Sequence, residues 1–289
     1  MDFTLTNLHE FSKHAGKTLN WIPNDAEIDL KERLEDDPSN ESLLHYRDNP
    51  IEYTFNNYGF RTNVDFHQGI EGNIFLGCSH TFGTGHYLDN VWSYRVNKKI
   101  KGNYLNLSIP GTGIGTCTRL LEHFKDILKP KSIFLFAFHP YRYEYYDIHA
   151  DQWLTVSPSF KWLEESSYKS SKKRLLLNKS TQKLLLDNNN MEMYFKLHYS
   201  YIKTLAKHMG AQLYTISPVS KEEYYILRTD TSIIREIPSI ARDNHMPVSV
   251  QDEYVKRALY NFNNNIEPSG NPDTLHLNPS SILKDKPLL

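Results

Sequence analysis

Ser79 stands in the stretch Gly77-Cys78-Ser79-His80-Thr81-Phe82-Gly83, directly after the apolar run Asn73-Ile74-Phe75-Leu76. A serine in a glycine-flanked turn, between a buried strand and a helix, has the geometry of a nucleophile. The glycines let the backbone turn tightly, and amides at the helix start can face a developing oxyanion. The competing reading of Ser79 is a simple helix cap. A second glycine turn, Asn106-Leu107-Ser108-Ile109-Pro110-Gly111, follows another apolar run, and Gly111 would let a main-chain N–H approach a substrate oxygen; a turn glycine is the plainer account. A third run exits into His139-Pro140-Tyr141-Arg142-Tyr143-Glu144. Further on, Asp243 and His245 in Ala241-Arg242-Asp243-Asn244-His245 form a carboxylate–imidazole pair able to orient and activate a serine, although any one such pair is a weak signal among 13 histidines.

These residues need elements that hold them at one edge. Residues 73–76, 104–109, 132–138 and 212–216 read as strands, and residues 91–100, 116–128, 191–209 and 250–262 as helices. In the second helix Leu120, Leu121, Phe124 and Leu128 share a face and Pro130 closes it; in the third, Tyr194, Leu197, Tyr201, Leu205 and Met209 form the stripe, and Gly210 caps the end. The alternation predicts an α/β fold, a three-layer α/β/α sandwich around a central parallel sheet. Ligands in such sheets bind at the carboxyl ends of the strands, where all of the residues above fall. Residues 1–50, with the acidic run Asp25–Asp37, read as an N-terminal helical segment. Residues 140–190, with a basic patch at Lys169, Lys172, Lys173 and Arg174, read as an insertion, and residues 263–289 as a flexible tail. Domain boundaries follow as 1–50, 51–262 and 263–289.

Composition removes several function classes. Lys+Arg (33) and Asp+Glu (34) nearly cancel, which argues against a general nucleic-acid binder. Cys78 and Cys117 are the two cysteines, so there is no disulfide framework, and no His/Cys cluster has metal spacing. Met1-Asp2-Phe3-Thr4 does not open a signal peptide and no window reaches the ~18 apolar residues of a membrane span, so a cytoplasmic location without membrane partners is expected.

Taken together, the blocks resemble the SGNH (GDSL-type) hydrolase family. Gly77–Gly85 resembles its first block, with Cys78 where the family has Asp, and Asn106–Gly111 resembles the second. Tyr53-Thr54-Phe55-Asn56-Asn57-Tyr58-Gly59-Phe60-Arg61 is similar to the Asn-x-x-Gly-Phe-Arg lead-in of bacterial and phage members, Trp92 sits where relatives carry an aromatic, and Ala241-Arg242-Asp243 looks like a form of the last block. The resemblance spans roughly residues 51–262. It implies a flavodoxin-like fold and a serine ester hydrolase without cofactor or metal, with Ser79 as nucleophile, His245 as base, Asp243 as its partner and Gly111 in the oxyanion hole. Two departures stand out. The Asn of the third block is absent, leaving His139 or Arg142 to replace it as an oxyanion or substrate contact. Asp243 and His245 are one residue closer than the family's Asp-x-x-His, a spacing that Asp273 and His276 do have, so this pair remains an alternative.

The substrate implied is a small acylated molecule or carbohydrate ester. A protein of the same fold that binds a glycan or another protein, or serves structurally, without turnover is the alternative that the departures motivate. Nucleotide binding at Gly111-Thr112-Gly113-Ile114-Gly115 is a weaker rival, because the third glycine comes one residue early and no acidic residue ends the next strand. Tyr141–Tyr146 is either a sugar-stacking surface or a packed part of the insertion.

Overall fold

A computed structural model describes residues 8–21, 34–39, 44, 48–137, 142–147, 152–156, 188–216 and 248–266. His139, Asp243, His245, Asp273 and His276 lie outside these residues. So do the basic patch, most of the acidic run and the chain beyond residue 266.

The longest apolar runs make the sheet. Strands β3 (Ile70–Leu76), β4 (Tyr104–Asn106), β5 (Leu128–Phe136) and β8 (Gln212–Ile216) are all parallel, in the order β4-β3-β5-β8. Their facing aromatics fill the centre: Phe75 stacks on Phe134 at 5.0 Å, and Phe134 on Tyr214 at 5.1 Å. From β3 the chain moves one way to β4, then reverses past β3 to β5. Right-handed crossovers therefore put the helix after β3 and the helix after β4 on opposite faces. Those helices are α2 (Trp92–Ile100) and α3 (Ile114–Phe124). Helix α4 (Asn188–His208) packs on α3, and α5 (Val248–Asn263) packs on α2 and β8. The result is the α/β/α sandwich expected. A short helix, α1 (Ser79–Phe82), lies between β3 and α2.

Several elements differ from their sequence reading. The second helix ends at Phe124, and Leu128 already opens β5, so Pro130 sits inside a strand. It is tolerated there because β8 first pairs at Ser132, leaving Pro130 without a neighbour on that side, and because the register with β3 slips between Gly72 and Asn73. β4 stops at Asn106, whose side chain turns back onto Ser108, although the Leu107 amide still donates to Phe75. On α4 the buried face is Met191, Phe195, Tyr199, Ile202, Leu205 and Ala206; of the expected stripe Leu205 is buried, whereas Leu197 and Tyr201 are exposed. Two apolar stripes run along this helix, and packing against α3 and β8 selects between them.

Two antiparallel pairs complete the described fold. β1 (Thr18–Trp21) joins β2 (Ile51–Thr54), and β6 (Tyr143–Asp147) joins β7 (Gln152–Val156) within the 140–190 region. Leu8 enters the main core, and His9 beside it is buried with its ring 4.4 Å from Phe60. No helix among the described residues is long and apolar enough to cross a membrane.

Burial and the neighbouring Arg119 charge hold His9 down to a pKa of about 3, against an ordinary 6.5. Below pH 6.5 the unfolded chain therefore binds a proton that the folded chain refuses. Stability falls as pH drops from 6.5 toward 3, by about 1.4 kcal/mol per unit in mid-window. His123 and His198, also lowered by burial, add to this slope. An Asn at position 9 keeps an acceptor for the Phe11 amide, which now donates to His9 Nδ1. Urea melts between pH 4 and 6.5 should show His9→Asn losing about one proton's worth of pH dependence.

Candidate active site

Ser79 is the first residue of α1, at the carboxyl end of β3. The position follows from close approach. A Cβ at Gly77 would lie 2.1 Å from Thr81 Oγ1, 2.8 Å from Thr81 Cβ and 3.1 Å from Phe136 Cβ, so only glycine lets the helix fold down on the end of β5. Cys78, not Ser79, takes the N-cap position, and no side chain caps this helix. Among the described residues nothing hydrogen-bonds the Ser79 hydroxyl, and the residue is 7% exposed. Capping therefore does not account for this serine. The far end of α1 is closed by Gly83 in the left-handed conformation, with the Gly83 and Thr84 amides donating to the Ser79 carbonyl at 2.8 and 3.1 Å.

The Gly111 loop lies alongside. The Ile109 amide donates to the Gly77 carbonyl at 3.3 Å, tying the exit of β4 to the exit of β3. Gly111 has φ +74°, and a Cβ placed on it would meet nothing within 4 Å, so its loop faces open space. β3 and β5 are where the crossovers diverge to opposite faces, and ligand crevices open at that switch point in sheets of this kind.

Arg142 does not stand apart from this loop. Its Nη1 donates to the Thr112 carbonyl at 3.0 Å, and its main chain presses on Gly113, where a Cβ would lie 2.6 Å from the Arg142 carbonyl oxygen. Glu144, two residues on, accepts from Thr116 Oγ1 at 2.6 Å and from Arg119 through both carboxylate oxygens, at 2.8 and 3.1 Å. The Arg119 guanidinium in turn lies 4.2 Å over the Trp153 ring. The β6–β7 hairpin is thereby fastened to α3 beside the Gly111 loop. Gly115 is explained by Tyr194, whose Oη would lie 2.0 Å from a Cβ. Packing thus accounts for Gly113 and Gly115 without a bound nucleotide. Of the tyrosines between 141 and 146, Tyr143 packs on α4, 4.4 Å from Tyr194, and Tyr146 packs within the hairpin, 5.2 Å from Trp153.

Both cysteines are buried, and burial, with Cys78 nearby, pushes the Cys117 thiol far up. Among the described residues no three His, Cys, Asp or Glu side chains gather as a metal site requires.

Sequence reading passed over the role of the lead-in segment. Arg61 is 1% exposed and its guanidinium donates to the carbonyls of Phe82 (3.0 Å), Gly83 (2.6 Å) and His86 (2.7 Å). It also stacks 3.9 Å over the Tyr53 ring, and the Tyr53 hydroxyl accepts from the Gly85 amide at 2.7 Å. The signal was the arginine itself, in a stretch otherwise aromatic and amide-rich.

No family model and no curated protein matches the chain. Two solved structures align with it at 10% identity. One is TesA, over 69% of this chain and 100% of that chain, with a TM-score of 0.32. The other is a carbohydrate esterase whose active site displays divergent catalytic and non-catalytic binding functions, over 70% of each chain, with a TM-score of 0.35. Likenesses this distant carry no weight for the activity of this chain, which has to be judged on its own residues.

Substitution of the two glycines should differ in cost. Gly77→Ala should destabilise the protein by about 3 kcal/mol or more, because backbone-tethered atoms must move. Gly111→Ala should cost only about 1–2 kcal/mol, the strain of a left-handed alanine with room for its methyl group. Urea denaturation followed by fluorescence distinguishes them.

Proposed function

We propose that this chain is a serine ester hydrolase acting on a small acylated molecule, an O-acyl carbohydrate being the expected substrate class. The observation that carries the reading is the placement of Ser79. Its hydroxyl has no hydrogen bond among the described residues, and it stands at the first position of a helix, at the carboxyl edge of a parallel sheet, beside the loop of Gly111, where a Cβ would meet nothing within 4 Å. In this proposal Ser79 Oγ attacks the ester carbonyl, and the amides of Ser79 and Gly111 receive the negative charge that develops on its oxygen. His245 takes the serine proton and returns it to the leaving alcohol, while Asp243 orients the imidazole. Water then repeats the sequence to release the acid. His139 is the proposed further contact of the oxyanion or substrate. No cofactor or metal enters.

The start of α5 supports the choice of Asp243 and His245 over Asp273 and His276. Gln251 Oε1 accepts from the Trp92 amide at 3.0 Å, and the Tyr254 ring lies 4.8 Å from Phe136 at the end of β5. Phe262, at the other end of α5, lies 6.1 Å from Phe134, deeper along the strand. The helix thus begins at the carboxyl edge that Ser79 occupies, and Asp243 and His245 immediately precede it in sequence. Arg142 is held against the Gly111 loop by one N–H to the Thr112 carbonyl, and with five N–H groups in its guanidinium it stays a proposed oxyanion or substrate contact beside His139.

A short-chain p-nitrophenyl ester series, run beside fluorophosphonate labelling, tests the proposal. Wild type should turn over the esters and carry the label on Ser79. Ser79→Ala should lose both, with a fall in kcat of about 10³-fold or more. His245→Ala should fall similarly and His276→Ala should not; the reverse pattern would transfer the role to Asp273 and His276. A folded wild type that neither hydrolyses nor labels would leave the binding reading.

A further inference from the structure

We infer that Arg61 and Asn106 form a single buried brace that fixes the Ser79 turn against the Gly111 loop, making both positioning residues for the proposed hydrolase site. The inference rests on that reading of the site. The hydrogen bonds close into a ring. On one side, the Arg61 guanidinium holds the Phe82, Gly83 and His86 carbonyls, and the Gly83 amide holds the Ser79 carbonyl. On the other, Asn106 Nδ2 donates to the Arg61 carbonyl at 3.1 Å, and Asn106 Oδ1 accepts from both the amide and the hydroxyl of Ser108. The ring closes where the Ile109 amide reaches the Gly77 carbonyl, two residues before Ser79.

One residue thus serves both loops, by its side chain toward the serine and by its main chain toward the glycine. Asn106 is 0% exposed and Arg61 1%, so water does not compete for these bonds. Among the described residues no carboxylate pairs with Arg61. Its charge is met by three carbonyl dipoles and the Tyr53 ring, and a lysine, with one point charge, cannot reproduce that planar fork. Buried polar networks of this kind hold one geometry because each member loses its partners if another moves. A displacement of about 1 Å between nucleophile and oxyanion donors is enough to cost about 100-fold in rate.

The test uses the full chain with Arg61→Lys, Asn106→Ser and the double variant. It measures fluorophosphonate labelling rate at Ser79, thermal unfolding, and amide hydrogen exchange of residues 78–86 and 107–113. Each single variant should label about ten- to hundredfold more slowly while still unfolding cooperatively above the assay temperature. The double variant should be scarcely slower than the worse single, because the brace is already broken. Each substitution should also speed exchange in both segments, Asn106→Ser loosening the serine turn that its side chain does not touch. Additive rate losses, or faster exchange confined to the substituted residue's own loop, would overturn the brace. If Arg61→Lys fails to fold, the effect of Asn106→Ser across the ring on residues 78–86 decides. An unlabelled wild type would refute the hydrolase reading alone, and the exchange data would still decide on the brace.

Discussion

A buried guanidinium that no carboxylate among the described residues pairs underlies the geometry of the carboxyl edge. Removing such a charge from water is costly unless every donor finds an acceptor. Arg61 offsets that cost by gathering three carbonyls at the end of α1 and in the turn after it, and burial lowers its pKa from the ordinary value. The surrounding segment is built to deliver it. Asn56 Oδ1 accepts the Tyr58 and Phe60 amides, Asn57 exchanges two hydrogen bonds with Phe66, and Thr62 Oγ1 donates to the Tyr104 carbonyl at 2.6 Å. Gly59, with φ +81°, lets this loop close on Phe11, whose carbonyl oxygen would lie 2.4 Å from a Cβ there. The N-terminal residues 8–14 are therefore packed against the support of the site and are not an appendage to it.

The sheet supplies the second constraint. Its strand order makes the connections after β3 and β5 leave toward opposite faces, the switch point at which ligand crevices open in sheets of this kind. At that edge the chain places α1, as close to β5 as Gly77 permits. Beside it lies the Gly111 loop, fastened by Arg142 and the Glu144–Arg119 pair. Nearly buried, the Glu144 carboxylate has both oxygens satisfied, the condition under which a shielded ion pair holds a geometry instead of straining it. The Tyr194 hydroxyl, close to the Glu144 amide, has its pKa pushed up by burial and stays a neutral phenol in that contact.

Much of this was legible from residue order. The apolar runs ending at Leu76, Ile109, Phe138 and Ile216 are long enough and apolar enough to be buried strands, and the helical stripes between them leave only a layered α/β arrangement. Ser79 was readable because a serine between two glycines after such a run has few structural duties. Less legible was which local pattern would win where two competed. Leu128 and Pro130 fit a helix end by spacing, yet pairing with β3 draws them into β5. Leu197 and Tyr201 fit a core stripe, yet the face bearing Phe195 and Ile202 meets α3. Arg142 could be matched to an absent oxyanion donor by its place in the chain, while its contact with Thr112 depends on where the β6–β7 hairpin lands.

The sequence by itself determined the four strands of the parallel sheet, the four helices that flank it, the layered class and the candidate nucleophile, because hydrophobic period and glycine placement are local properties of a chain; the two antiparallel pairs, β1 with its residues in a segment read as helical, were not among its readings. Only the tertiary structure decided the use of Arg61, the register that buries Pro130 in a strand, and the bond network joining the Ser79 turn to the Gly111 loop. Those depend on groups far apart in sequence meeting in a medium without water, where each buried donor must find its acceptor, and no local pattern records which acceptor that will be.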